Sequence, residues 1–181
     1  MTYVPNHEKE ARRIVQGVST FRGPLLPSPW RGEGVPESLK RYAGFVLLVV
    51  ADALESRYVR ATDQAGISLR DFVLMAEIAQ RPGLSQATLA RRVGLGRSRV
   101  SEQLTVLDIA GYIERELDIR DLRRRRIWIS TSGQATLEDA AARVSHADNG
   151  WLSALEPHER HNFTAALRRL RPAATARTQW L

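Results

Sequence analysis

Apolar positions recur at helical spacing along most of the chain, and the pattern changes once. Tyr42, Phe45, Val46, Val49, Val50, Ala53 and Leu54 make a wide apolar face that predicts a long helix over about Glu37 to Gln64. Ser68, with Asp71 three residues on, has the form of a capping box. Phe72, Met75, Ala76 and Ile78 are the inward face of the helix it opens, which Pro82-Gly83 ends. Ser85 caps a short helix carrying Leu89, Ala90 and Val93, and Gly94 and Gly96 flank a tight turn. A further helix then runs from Arg97 to about Ala110, where Gly111 terminates it. At Ile113 the period becomes that of a strand. A short extended run, a polar tip and a return strand with Ile127 and Ile129 on one face and Trp128 on the other predict a β-hairpin. Helical spacing resumes in an Ala-rich segment from Ser130 to Ser153. Pro157 suits the first turn of a last helix, with Phe163, Leu167 and Leu170 at i, i+4 and i+7.

Helix, turn, helix and charged hairpin is the order of a winged helix-turn-helix domain. The expected fold is mainly α with a small β-hairpin wing, in which residues 66–130 form the winged domain and residues 36–65 and 131–172 a helical dimerisation region. Residues 1–35 form an arm and linker: Asn6 caps a short amphipathic helix through Gln16, and Gly23, Pro24, Pro27, Pro29, Gly32, Gly34 and Pro36 prevent regular structure beyond it. Residues 173–181 are a frayed tail.

Charge sharpens this picture. The chain carries +7 over 181 residues, and most of the excess lies in residues 81–126, where 11 arginines face 6 acids. The hairpin stretch 113–129 alone holds six arginines and four acids. Its surroundings, rather than its charge, separate a DNA-binding wing from the solvated edge of any small sheet. There is no cysteine, which excludes disulfides, thiolate metal sites and thiol-based sensing, and fits a cytoplasmic protein. The most apolar stretch, Ala43 to Leu54, is too short to span a bilayer, and Met1 to Glu10 is too polar for a cleavable signal. No Gly-rich phosphate loop or nucleophile-and-base motif indicates an enzyme.

From Gly66 to Leu170 the sequence resembles the MarR family of winged-helix transcriptional regulators. At the hairpin, Asp118, Asp121, Arg123, Ile127, Ile129, Ser130 and Gly133 fill the family pattern at its spacing. Upstream, Leu104, Leu107, Gly111, Tyr112, Ile113 and Arg115 match the entry into the wing, and Leu155 to Glu159 is similar to the turn into the final helix. The chain departs from minimal family members in its long arm and in the run Arg123 to Arg126. The resemblance implies that Arg123 enters the minor groove while Asp121 and Arg115, with Asp118, support the wing. It also implies release of DNA on binding a small aromatic or anionic effector, with no required cofactor.

On a helical wheel Val100, Leu104 and Leu107 share one side of the Arg97 helix. Ser98, Ser101, Glu102 and Thr105 fall opposite, with Arg99 at the border. That outward side is the expected major-groove face. Arg97 and Arg99 are candidates for paired hydrogen bonds to guanine, Ser98 and Ser101 for phosphates, Glu102 for the same face, and Gln103, nearer the buried side, is a weaker candidate. Arg120, Arg123, Arg124 and Arg125 are the wing candidates, about half of this arginine run facing DNA because strand side chains alternate. A single winged domain reads few base pairs, so the flanking helices are expected to build a homodimer facing the half-sites of a pseudopalindromic double-stranded operator. Arg41, Tyr42, Arg57 and Tyr58 on the first long helix are candidate effector contacts, with exposed charges and packed tyrosines as the structural alternative. Two other readings stay open: a winged helix that docks an acidic protein surface, and a zinc-responsive regulator using His158 and His161 with Glu156, Glu159 and His146 nearby.

Overall fold

Apolar side chains spaced three and four apart between Ile67 and Leu107 converge on one core, which the wing closes from the side. The computed structural model describes residues 36–118 and 121–175. Its elements in order are α1 (Glu37–Lys40), α2 (Ala43–Gln64), α3 (Leu69–Gln80), β1 (Leu84–Ser85), α4 (Gln86–Val93), α5 (Arg97–Ile109), β2 (Ile113–Asp118), β3 (Asp121–Ile129), α6 (Thr131–Leu152) and α7 (Pro157–Thr175). The described residues up to Val144 form one compact unit and those from Ser145 a second. The arm and its short helix lie outside the described residues.

The first long helix is not continuous. Tyr42 is extended (φ −99°, ψ 109°) and separates α1 from α2. The four residues of α1 bury nothing and are joined internally by an exposed Lys40–Glu37 pair at 2.6 Å. One turn without packing has no means of holding its axis to that of the next helix. In α2 only Ala61 and Thr62 are buried. Of the wide apolar stripe read from the sequence, Tyr42, Val46 and Ala53 are exposed and Phe45, Val49, Val50 and Leu54 half-buried, and the neighbouring Leu47 and Leu48, outside the stripe, are exposed as well.

Helix α3 starts at the capping box: Asp71 N donates to Ser68 Oγ at 3.1 Å, and Ser68 N donates to Asp71 Oδ2 at 3.1 Å. Its Leu74, Met75 and Ile78 are fully buried, together with Leu89 of α4, Val100, Leu104 and Leu107 of α5, and Ile113 and Ile127 of the wing. Ser85 caps α4 through Thr88 N at 3.3 Å, and Gly94, left-handed at φ 70°, ends it.

The wing is a three-stranded antiparallel sheet of order β1-β3-β2 rather than a hairpin alone. Leu84 faces Ile127 and Ser85 faces Arg126, while on the other side Ile113 faces Ile129 and Arg115 faces Ile127. The two residues of β1 carry no period of their own, so their pairing depends on β3, more than forty positions on. Gly83 N donates to Ile127 O at 2.9 Å, and the Trp128 ring lies 3.6 Å from where a Gly83 Cβ would stand.

The junction between β3 and α6 is locked onto the end of α5. Ser130 Oγ and Ser132 Oγ both donate to Gly111 O, at 2.6 and 2.7 Å, and Gly133 N donates to Ser130 Oγ at 3.0 Å. A Cβ on Gly133 would stand 2.0 Å from Tyr112 O. Backbone cannot give way there without moving the wing, so Gly133→Ala is expected to cost about 2–3 kcal/mol of unfolding free energy. Urea unfolding of the two proteins would measure it, and an unchanged midpoint would contradict the packing described.

In the second unit, Glu159 Oε2 accepts from Glu156 N at 2.8 Å at the start of α7. Trp151 meets Phe163 edge to face, with centroids 5.7 Å apart. Helix α7 continues past Pro172 to Thr175, where the sequence predicts a frayed end. Among the described residues no helix is long and apolar enough to cross a membrane.

Candidate nucleic-acid interface

Helix α5 presents its polar side because its other side is anchored in the core. Val100, Leu104 and Leu107 are buried, and Arg97, Ser98, Arg99, Glu102 and Thr105 are exposed, with Ser101 half-buried between the faces. Gln86 Nε2 donates to Arg97 O at 3.4 Å, which ties the start of α4 to the first turn of α5. The resulting ridge begins with two guanidinium groups and two hydroxyls at a helix N-terminus, where unpaired backbone N–H groups add favourable potential for anions.

Gln103 is not on this ridge. It is only 5% exposed, and its Nε2 donates to Asp71 Oδ1 of α3. The expectation that it contacts DNA is corrected: three positions after Val100 it stands about 60° from the buried centre of the helix, and a buried partner on α3 draws it inward. Asp71 thus has three donors, namely the Ser68 backbone N–H, the Ser68 hydroxyl at 2.6 Å and Gln103.

Burial pushes the Asp71 carboxyl above the ordinary carboxylate range, opposed by the Ser68 and Gln103 hydrogen bonds and by the charge of Arg70. A carboxyl with a raised folded-state pKa stabilises the fold most when protonated, below its unfolded pKa, and loses that contribution as pH rises through the folded value. Asp71→Asn cannot ionise. Its stability relative to the wild-type protein is therefore expected to rise with pH across that window, and melting both proteins from acid to neutral pH would show the gap widen. A constant gap would mean that Asp71 titrates as in the unfolded chain.

In the wing, Arg115 is largely enclosed and its Nε lies 3.2 Å from Asp108 Oδ2 of α5. The approach is an ion pair without hydrogen-bond geometry, since Nε and Nη2 lack a hydrogen-bond partner. Burial lowers the Arg115 pKa, with Asp108 opposing the shift and Arg125 adding to it. Arg115 thus links the first wing strand to the end of α5, a tie to Asp108 that the sequence did not reveal. Arg125 is exposed and faces Leu117, one register position from the pair Glu116 and Arg126. The ladder shifts register between Leu117 and Asp118, and Asp118 stands opposite Asp121. Arg120 lies outside the described residues, as do the side-chain placements of Asp118, Asp121, Arg123 and Arg124.

The sequence profile of the MarR family matches residues 65–124, the stretch from the start of the capping region into the wing. The HTH-type transcriptional repressor Rv2887 of Mycobacterium tuberculosis is 28% identical over 127 residues, covering 70% of this chain and 91% of the relative. Over these residues the chain is similar to the MarR family of regulators. Among solved structures, the chain is similar to the MarR-family protein Rv2887 in complex with DNA, with a TM-score of 0.62 and 28% identity over 71% of this chain and 96% of that one. It is also similar to Rv2887 in complex with p-aminosalicylic acid, with a TM-score of 0.60 and 27% identity over 71% and 97% of the two chains.

The four candidate effector contacts do not meet. Arg41 lies over the Tyr42 ring, 5.0 Å from its centroid, before the first turn of α2, and Arg57 and Tyr58 lie near its other end. Sixteen helical residues correspond to about 24 Å, so one small ligand cannot touch both pairs within a single chain. An open depression of about 480 Å³ is lined by Ile129, Ser130, Thr131, Gln134, Ala135 and Glu138, and includes none of them. His146, His158 and His161 are exposed, and among the described residues no group of three or more His, Asp or Glu side chains is placed to hold a metal ion.

Proposed function

We propose that this protein is a homodimeric, sequence-specific repressor that binds a pseudopalindromic double-stranded operator and releases it when a small aromatic or anionic molecule binds. The observation that carries the reading is the outward ridge of α5: every exposed position from Arg97 to Thr105 is basic, acidic or hydroxylic, on a helix anchored by Val100, Leu104 and Leu107. Rv2887 supplies a relative that is a repressor and has been solved with DNA and with p-aminosalicylic acid. Arg97 and Arg99 read base edges in the major groove, Ser98, Ser101 and the helix N-terminus hold phosphates, and the wing arginines Arg120, Arg123, Arg124 and Arg125 follow the adjacent minor groove. The protein acts in the cytoplasm and performs no catalytic step.

A protein-docking role is disfavoured by the same ridge, which from Arg97 to Thr105 offers no apolar anchor of the kind that dominates protein interfaces, the exposed Ile109 standing alone at the far end of the helix. Selection of duplexes from a random pool, followed by binding of the selected and a scrambled duplex across a salt series, tests the proposal. A preference for the selected duplex with a steep salt slope is expected. Weakening by salicylate or p-aminosalicylate tests the effector arm. Equal binding to both duplexes would overturn sequence-specific reading.

A further inference from the structure

Among the described residues only four polar side chains are buried: Thr62, Ser68, Asp71 and Gln103. Thr62 is satisfied within its own helix, by the Tyr58 and Val59 carbonyls at 3.1 Å. The other three form one network between different elements. Ser68 and Asp71 belong to the start of α3, and Gln103 to the middle of α5, 32 positions away. Capping α3 requires only the Ser68–Asp71 exchange. The bond from Gln103 adds nothing to that cap, yet it places an amide where the helix otherwise buries Val100, Leu104 and Leu107.

We infer that Asp71 and Gln103 are a positioning pair that fixes the roll of α5, and thereby the sequence preference of its arginine ridge; the inference rests on the DNA-reading function proposed above. Apolar contacts resist separation of two helices but weakly resist rotation of one about its axis. A hydrogen bond is directional and resists both. Gln103 stands one turn after Arg99 on the same side of the helix, so any roll that stretches the Asp71 bond also displaces the Arg99 guanidinium. With side chains reaching about 5–6 Å from the axis, a roll of about 10° moves a tip by about 1 Å. Paired hydrogen bonds to a base edge tolerate less than this, whereas attraction to phosphates hardly changes.

The pair predicts a split between two affinities. Gln103→Met keeps the length of the side chain and removes the donor, and is expected to lower the preference for the selected duplex by about tenfold while leaving binding to scrambled DNA unchanged. Asp71→Asn is the conservative variant. With its amide oxygen placed where Asp71 Oδ2 stands it accepts from Ser68, and its Nδ2, in the place of Oδ1, can donate to Gln103 once that amide turns over, so preference is expected within about twofold of wild type. Gln103→Met leaves a buried carboxylate short of a donor. Should it fail to fold by circular dichroism, the Asp71→Asn/Gln103→Met double variant, which holds no buried charge at position 71, takes its place with the same expected loss. A folded Gln103 variant that keeps wild-type preference overturns the positioning role and leaves the DNA-reading function intact. A wild-type protein with no preference overturns both.

Discussion

A variant with both Val46 and Leu47 replaced by glutamate is expected to elute as a monomer and to bind the selected operator about 10²–10⁴ times more weakly than the wild-type protein. The first half of α2 is the reason. Tyr42, Val46, Leu47 and Leu48 are 36–49% exposed on a helix whose buried residues, Ala61 and Thr62, all lie at the far end. Contiguous apolar surface of this kind on a helix is covered by a partner in a stable protein. In the proposed dimer that partner is the same helix of a second copy, and two carboxylates placed in a self-complementary contact meet two more across the axis. The winged unit is expected to stay folded, because the core gathers around α3, α4, α5 and the sheet and takes nothing from residues 42–54. Circular dichroism and sedimentation separate the two effects. A monomer that binds the full operator as tightly as wild type would show that the two half-sites are read independently, and a variant that remains dimeric would assign the dimer contact to another surface.

The same region shows where the sequence stops being informative. The apolar face of residues 42–54 is legible from its spacing, but its partner is not, because spacing identifies a surface that must be covered and not what covers it. The break at Arg41 and Tyr42 has no glycine or proline to announce it. It arises because α1 is too short to be held without packing. Starts and stops elsewhere were legible for the opposite reason: Ser68 with Asp71, Ser85 with Thr88, and Gly94 each act within one turn of the chain.

Features that join distant positions were less accessible. Strand β1 exists only through its pairing with Ile127 and Arg126. Gln103 sits at the boundary of the wheel, and its placement is decided by Asp71, which the sequence identifies as half of a capping box but not as an acceptor for another helix. The family resemblance implies a wing-supporting role for Arg115, while its approach to Asp108 of α5 was not legible. Gly133 shows the reverse case: it fills a position of the family pattern, and the Tyr112 carbonyl, standing where any Cβ would have to go, supplies the physical cause.

Removing the two guanidinium groups at the head of α5 is expected to have an effect of a different kind from removing one on the wing. Arg97 and Arg99 are exposed in the first turn of a helix whose opposite side is fully buried, so their backbone positions are fixed while their side chains remain free to reach a groove. A bidentate arginine–guanine pair is worth about 1–3 kcal/mol of discrimination, and loss of both in Arg97→Ala/Arg99→Ala is expected to erase the preference for the selected duplex by about a hundredfold or more. Arg125 is exposed on the wing, where a cation contributes mainly by displacing counterions from phosphates. Arg125→Ala is therefore expected to weaken selected and scrambled duplexes alike and to lower the salt slope by about one. The two variants together separate reading from adhesion in a single titration series. If the helix variant lost affinity uniformly and the wing variant lost preference, base reading would belong to the wing, and the ridge of α5 would serve only to hold the backbone.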